Sequence, residues 1–403
     1  MFKIINNLFL KKEVINADIA IIDDSFPQKI PVGFRNVEIN GLINSVDNCN
    51  VYTMYKMFPK KEAWFKHGYG ISKEQFEENK QNYLKFYPEN KNKIFYLDNN
   101  KKYNFKLAYS YFLAQTFTLL PFYEKHKIPF AFTLFCGGAF GINNESVDKM
   151  LKKIFSSKYF KKVLVDQIVV KDYLINNNFT TEDKISFSHS GAPVQYGKEY
   201  ILPKKFYKKD KDTFDICFVG FKYSQLGEDK GYDLVIESAK KLCKKYSNIH
   251  FHIVGNFDEN VIDVSDIKDN ITFYGIQKVD FLRNFYTTMD ICLSPNRPFV
   301  LYKGHFDGFP LQREAMYAGS LLLNTDELDN NRNNFKDDEL IIIKPEINNI
   351  IEKIEYFYNH IDEMYKIAKK GQEKAIKYFN PDDRIEYLKS VFMEIINNRE
   401  NNE

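Results

Sequence analysis

KGHFDGFPLQREAMYAGSLLLN, Lys303 to Asn324, is the stretch from which the rest of this chain is read. A Gly-rich polar turn (Gly304, His305, Asp307, Gly308) leads through Phe309 and Pro310 into a short helical pattern, Leu311 to Ala318, then Gly319 and a strand-like run from Ser320 to Leu323. A loop feeding a helix N-terminus presents unpaired N–H groups and the positive end of the helix dipole, so the pattern favours an anion such as a diphosphate. Pro310 suits the first helical turn and Gly319 the exit. Asp307 and Glu314 stand on either side of the turn, and carboxylates accept strongly from hydroxyls, which makes a polyhydroxylated ligand the natural companion of the phosphate. The plainer alternative is a buried Gly-turn-helix with Asp307 as its cap.

Outward from this stretch, the second half of the chain alternates strands and helices. Phe214 to Val219 is a strand delivered onto Gly220-Phe221-Lys222-Tyr223, and Lys230-Gly231 opens an amphipathic helix with Leu234, Val235, Ala239 and Leu242 at helical spacing. A lysine in a first helical turn is disfavoured by the dipole, so an anion there would explain Lys230; solvation at the surface is the alternative for both lysines. Strands follow at Ile249 to Gly255, Ile271 to Gly275 and Asp290 to Ser294, with helical patterns at Asp258 to Lys268 and Lys278 to Thr288. A last strand, Glu339 to Lys344, precedes two helices over Glu346 to Tyr378. Asn380-Pro381 breaks the pattern and Asp382 caps a final helix ending near Asn397.

The first half repeats the alternation. Asp18 to Asp24 is a buried strand of the parallel type, and its loop, with Gly33, Phe34 and Arg35, faces the crevice at the carboxyl ends of the strands. Asp23 and Asp24 serve either there or as turn and cap residues. Asn50 to Met54 and Lys93 to Leu97 are strands around a charged, aromatic excursion that holds Trp64, assigned to packing. Next come a long helix from Phe105 to Lys125 and a strand from Pro129 to Phe135. That strand ends at Cys136-Gly137-Gly138-Ala139-Phe140-Gly141, where glycines let backbone N–H groups approach a ligand or simply make a tight turn. Helix Ser146 to Phe155, strand Lys162 to Val165, helix Gln167 to Asn177 and strand Lys184 to Phe187 complete this half. The pattern predicts an α/β chain of two facing, doubly wound Rossmann-like domains: 1–200, a Lys-rich linker at 201–213, 214–380, and a C-terminal helix, 381–403.

Asp307-Gly308-Phe309 and Glu314-Ala315-Met316-Tyr317-Ala318-Gly319 resemble the motif Glu-Gly-Phe-Gly-Leu-Pro-x-x-Glu-Ala-Met-x-x-Gly of the retaining "group 1" (family 4-like) glycosyltransferases of the GT-B fold. The first acid here is Asp, and it stands one position nearer the second than in the family. The resemblance implies transfer of a sugar from a nucleotide diphosphate sugar, UDP- or GDP-linked, to a hydroxyl acceptor on a glycan or glycolipid, with retention, without a metal and without a cofactor. It implies catalytic roles for Asp307, Lys222 and Lys230, the two lysines on the diphosphate. It assigns donor binding to Glu314 (ribose), Gly308, Phe309, Pro310, Leu311, Gly220 and Gly275, the last in a turn that meets the base, with Gly33, Gly137 and Gly138 on the first domain's side. The family's histidine in that first-domain loop is absent. The final helix is expected to cross back to the first domain. Two other readings stay open: a nucleotide-sugar 2-epimerase of related fold, and a non-catalytic partner subunit.

Composition agrees with a globular chain and with no nucleic-acid partner. The 403 residues suit two domains, 44% are apolar, and 57 basic against 54 acidic residues leave a net charge of +3. Five cysteines, odd in number and widely spaced, fit a reducing compartment and buried thiols. His250 and His252 read as core or surface residues, not metal ligands. The run MFKIINNLFLKK is too short for a signal peptide and no stretch is long enough to span a membrane, so a cytoplasmic protein is expected. Lys-rich segments such as Lys204 to Lys211 would allow contact with anionic lipid at a membrane's inner face. Only the last residues, Asn397 to Glu403, look like a tail.

Overall fold

The computed structural model describes residues 14–400 apart from 30, 32, 58–67 and 99, so Trp64, the N-terminal apolar run and the last three residues lie outside the described residues. The first sheet is built from β1 (Val14–Asp23), β2 (Cys49–Thr53), β3 (Ile94–Tyr96), β4 (Lys102–Tyr111), β5 (Phe130–Thr133), β6 (Phe160–Val165) and β7 (Ile185–Phe187). Its helices are α1 (Phe34–Ser45), α2 (Lys73–Tyr83), α3 (Leu113–His126), α4 (Glu145–Phe155) and α5 (Ile168–Asn176). The strand order is β3-β2-β1-β4-β5-β6-β7 and every pairing is parallel. β1 has Ile19, Ala20, Ile21 and Ile22 all fully buried, as a strand covered on both faces requires.

One expected helix is in fact a strand followed by a helix. The segment opening the anticipated helix at Phe105 belongs to β4, which lies between β1 and β5 in the sheet. Lys102, Asn104 and Lys106 are exposed while Tyr103, Phe105 and Leu107 are buried, a period of two that only a strand satisfies. After Tyr111 the chain turns at Phe112 (φ 60°), and α3 carries the helical remainder.

The second sheet contains β8 (Phe214–Val219), β9 (Ile249–Val254), β10 (Ile271–Phe273), β11 (Ile291–Ser294), β12 (Leu321–Thr325) and β13 (Ile341–Ile343) in the order β10-β9-β8-β11-β12-β13, again parallel. Around it pack α6 (Tyr232–Lys245), α7 (Val279–Phe285), α8 (Arg313–Tyr317), α9 (Ile347–Asn359) and α10 (Ile361–Tyr378). The helix expected over Asp258 to Lys268 is reduced to one 3-10 turn, Ser265–Ile267. There Asp258 and Asp263 accept from the backbone N–H groups of Asn260 (2.9 Å) and Ser265 (3.0 Å), local bonds that compete with helix formation.

The last helix, α11 (Pro381–Glu400), runs into the expected tail and packs on the first domain. Its cap is Asn380, whose side chain accepts from the N–H of Asp382 (3.2 Å), so Asp382 is the capped residue and not the cap. Ile385, Leu388, Val391, Phe392 and Ile396 enter the same core as Ile19, Ile39 and Leu42. Arg384 meets Glu38 of α1 at 2.8 Å with both side chains buried, and Tyr109 donates to the same carboxylate at 3.1 Å. A Cβ on Gly41 would stand 2.5 Å from the Ile385 side chain, so glycine permits this close approach.

Two of the connecting lysines, Lys204 and Lys211, are engaged within the protein. Lys204 is turned inward and donates to the carbonyls of Tyr286 (2.9 Å) and Met289 and to Ser320 Oγ (3.0 Å); burial pulls its pKa down to about 8. Lys211 binds Asp215 and Asp290, leaving Lys205, Lys208 and Lys209 outside. Among the described residues no helix is long and apolar enough to cross a membrane.

Candidate active site

Lys230 ends a 3-10 turn, Glu228–Lys230, just before α6. The turn is fixed by Gly231 (φ 70°), where a Cβ would stand 2.1 Å from the carbonyl oxygen of Pro295. Far from being a solvated surface lysine, Lys230 is buried, lies over the Tyr223 ring and reaches Asp307 Oδ1 at 2.5 Å. Asp307 Oδ2 is buried without a partner. Two more polar atoms nearby are in the same state: Nδ1 of His305, whose imidazole burial holds below its ordinary pKa and hence neutral near pH 7, and Oδ2 of Asp229. Lys222, in the loop after β8, differs: its backbone N–H donates to Asn256 Oδ1 (2.7 Å), and its ammonium has no partner among the described residues. A Cβ on Gly220 would stand 3.8 Å from Cγ of Lys230, an ordinary contact, so that loop passes beside the Lys230 side chain.

The loop before α8 is tied to the first domain, and this alters the expected anion site. Gln167, at the carboxyl end of β6, accepts from the Phe309 N–H (2.8 Å) and donates to its carbonyl (3.3 Å). The Leu311 N–H points to Asn324 Oδ1 (3.4 Å), and Pro310, three residues ahead of α8 instead of in its first turn, has no N–H to give. Gly308 is therefore the residue of this group whose amide is left without a protein partner among the described residues. α8 has five residues, so its dipole is short. It ends, as expected, at Gly319 (φ 82°).

Arg313 holds the same junction. It donates to Ala192 C=O (2.7 Å), Pro310 C=O (3.1 Å) and Asp166 Oδ2 (3.1 Å), and its guanidinium stands 5.1 Å from the centre of the Phe379 ring. Glu314, half-buried on α8, has its pKa pushed up by burial, against the charge of Arg313 and a hydrogen bond with Gln195. Gln195 also accepts from the Gly33 N–H at 2.6 Å and so joins the first-domain loop to the second carboxylate.

On the first-domain rim Gly33 (φ 83°) and Gly137 (φ 84°) have nothing within 4 Å of where a Cβ would stand, and the same holds for Gly275 on the second. Gly138 is different: a Cβ there would strike Phe112, so it serves packing. Asp23 makes the turn after β1 by accepting from the N–H groups of Ser25 and Phe26, and with Asp24 it binds Arg35, each at 2.8 Å. His252 rests between Asp215 and Tyr274, each 2.9 Å away, in an ordinary pair; among the described residues no three His, Cys, Asp or Glu side chains gather as a metal site requires. All five cysteines are free, with Cys49, Cys217 and Cys292 buried and Cys136 and Cys243 half-buried.

Sequence reasoning missed Gln167, Gln195, Arg313 and Asp166. Asp166-Gln167 follows β6 directly, and the strand-end rule that singled out Gly137 would have found that pair. Gln195 and Arg313 carry no such positional signal.

The family model "Glycosyl transferases group 1" matches residues 203–374. No curated protein matches the chain by sequence. Among solved structures, a glycosyltransferase from Rickettsia africae is similar with a TM-score of 0.65 at 14% identity, covering 96% of this chain and 99% of its own. Sucrose-phosphate synthase from Thermosynechococcus elongatus gives 0.64 at 12%, covering 95% and 99%. Anabaena HepE in complex with UDP and glucose gives 0.64 at 11%, covering 93% and 99%. The fold is therefore GT-B, and residues 203–374 are similar to the glycosyl transferases group 1.

Proposed function

We propose that the protein transfers a sugar from a UDP- or GDP-sugar to a hydroxyl of a glycan or glycolipid, with retention of anomeric configuration. The observation that carries this reading is the buried contact of Lys230 with Asp307, made between segments that follow β8 and β11, the same two connections that carry Lys222 and Glu314. Glu314 takes the ribose hydroxyls and Asp307 a hydroxyl of the sugar. As the bond between the anomeric carbon and the phosphate oxygen breaks, charge builds on the diphosphate, where Lys222 and Lys230 stabilise it. The acceptor oxygen bonds to the same face of the anomeric carbon, and the departing phosphate oxygen takes the acceptor's proton, so no protein nucleophile is needed.

This scheme places the diphosphate charge on lysines, so transfer should survive EDTA; an absolute need for Mn²⁺ or Mg²⁺ would overturn it. Assembly of bacterial surface glycans or glycolipids in the cytoplasm, at the inner face of the membrane, is the setting it suits. Calorimetry with UDP, GDP and their sugars identifies the donor, and UDP-glucose, bound by HepE of the same fold, is the first to try. Failure of every sugar nucleotide to bind would end this reading. Conversion of UDP-GlcNAc without an acceptor would instead mark an epimerase.

A further inference from the structure

Lys230 and Asp307 are two groups that the proposed donor needs separately, the first for its diphosphate and the second for its sugar, yet here they hold each other at 2.5 Å. Both side chains are largely buried, at 9% and 15% exposure, so the contact is shielded from solvent and costs energy to break. The surroundings offer Asp307 little in exchange. Its second oxygen is already without a partner, and so are the buried Asp229 Oδ2 and His305 Nδ1 close by. Asp307 also borders a crevice lined by Asn296, Asn324, Glu327 and Asn330, side chains suited to a neutral polyhydroxylated group.

We infer that Asp307 competes with the diphosphate for Lys230, so that the site favours an intact sugar nucleotide over the bare nucleoside diphosphate left after transfer. An intact donor takes Lys230 with its diphosphate and repays Asp307 with sugar hydroxyls. The bare nucleoside diphosphate takes Lys230 and leaves Asp307 a buried carboxylate with neither cation nor hydroxyl. Once the sugar has gone to the acceptor, Asp307 recaptures Lys230 and the nucleoside diphosphate is released. This gives Asp307 a second role, in product release, and it rests on the donor-site reading above.

The test is calorimetric binding of UDP and GDP, with and without their sugars, to the full chain as wild type, Asp307→Asn, Lys230→Met and the double variant. Asp307→Asn keeps the shape of the side chain and removes the competitor, so the bare nucleoside diphosphate should bind roughly tenfold tighter, the scale expected when one close charge competitor is removed. The sugar nucleotide should gain less, and inhibition of transfer by the nucleoside diphosphate should rise in step. In the Lys230→Met background the Asp307→Asn gain should vanish. Equal or weaker binding of the nucleoside diphosphate to Asp307→Asn overturns the inference while leaving the donor site standing. So does a gain that persists without Lys230, because Asp307 would then act through its general field. If wild type binds neither nucleotide nor sugar nucleotide, the donor-site reading itself fails and takes this one with it.

Discussion

At the amino ends of β8 and β11, Lys211 reaches Asp215 at 2.6 Å and Asp290 at 2.5 Å; at the opposite end of the same sheet, Lys230 reaches Asp307 at 2.5 Å. In the first cluster every carboxylate oxygen is used. Asp215 also takes His252 (2.9 Å) and Thr213 (3.0 Å), and Asp290 takes the Asp215 N–H (2.7 Å) and the Tyr365 hydroxyl (2.5 Å). In the second, Asp307 Oδ2, Asp229 Oδ2 and His305 Nδ1 are all left over. A buried polar atom without a partner costs about 1–3 kcal/mol, so three together make sense where something else completes the set. The complete cluster holds the linker to the sheet, and the incomplete one is where the proposed donor site lies.

Mutation at the two lysines should break this symmetry most plainly. Lys211→Met leaves two buried carboxylates without their cation and should cost about 3–5 kcal/mol in denaturant unfolding, with transfer per folded molecule unchanged. A loss of transfer equal to that at Lys230 would show that the two ends do not differ in kind.

Lys230→Ala should lower kcat/KM on the order of 10²-fold or more, by the scale of losing one preorganised charge at the reacting centre. Lys222→Ala should do the same, and with no fall in Tm, because its ammonium makes no ion pair to lose. Wild-type rates in both variants would move the donor site elsewhere.

Glu314→Ala sharpens the comparison within the ligand end. It should weaken binding of the bare nucleoside diphosphate by roughly 1–3 kcal/mol in calorimetry, through loss of the partner for the ribose hydroxyls. Unchanged affinity would remove Glu314 from the nucleotide half of the site.

The smallest effect concerns acid. Burial alone would raise the Asp215 carboxyl, but the hydrogen bond from His252 and the charge of Lys211 outweigh it and hold the pKa at about 2. A carboxyl whose folded pKa is depressed gives stability that is whole above its unfolded value and fades as pH falls toward the folded one. The stability gap between wild type and Asp215→Asn should therefore shrink by at most about 2 kcal/mol between roughly pH 4 and pH 2, read by urea unfolding at each pH. A gap independent of pH would mean the shift is absent.

The strands of both sheets were largely legible because parallel strands buried on two faces leave short apolar runs, as Ile19 to Ile22 and Ile291 to Leu293 do. β4 was not, since Phe105 to Tyr111 runs straight into the apolar helix α3 and its alternation is complete only if Lys102 to Asn104 are counted with it. Asp307, Glu314, Lys222 and Lys230 were singled out by motif and position, but the pairing of Lys230 with Asp307 was not foreseen. Seventy-seven residues separate Lys230 from Asp307, and nothing local in either segment records that the two meet. The same holds for Gln167, which spans 142 positions to reach Phe309. Burial, and not motif, separates Lys230 from Lys222.

α11 gives the chain an order in time. A ribosome releases β1 and α1 before any other element of either sheet, yet the helix that covers them, with Arg384 for Glu38 and Ile385 for Gly41, is made after both sheets. Until then Glu38, fully buried in the finished protein, lacks its cation, and the apolar face of α1 is bare. The earlier of the two domains is thus completed after the later one, which has its own helices in hand by Tyr378. A chain stopped before Pro381 should lose its first half to protease sooner than its second, so that damage at one end of the gene is felt in the product of the other.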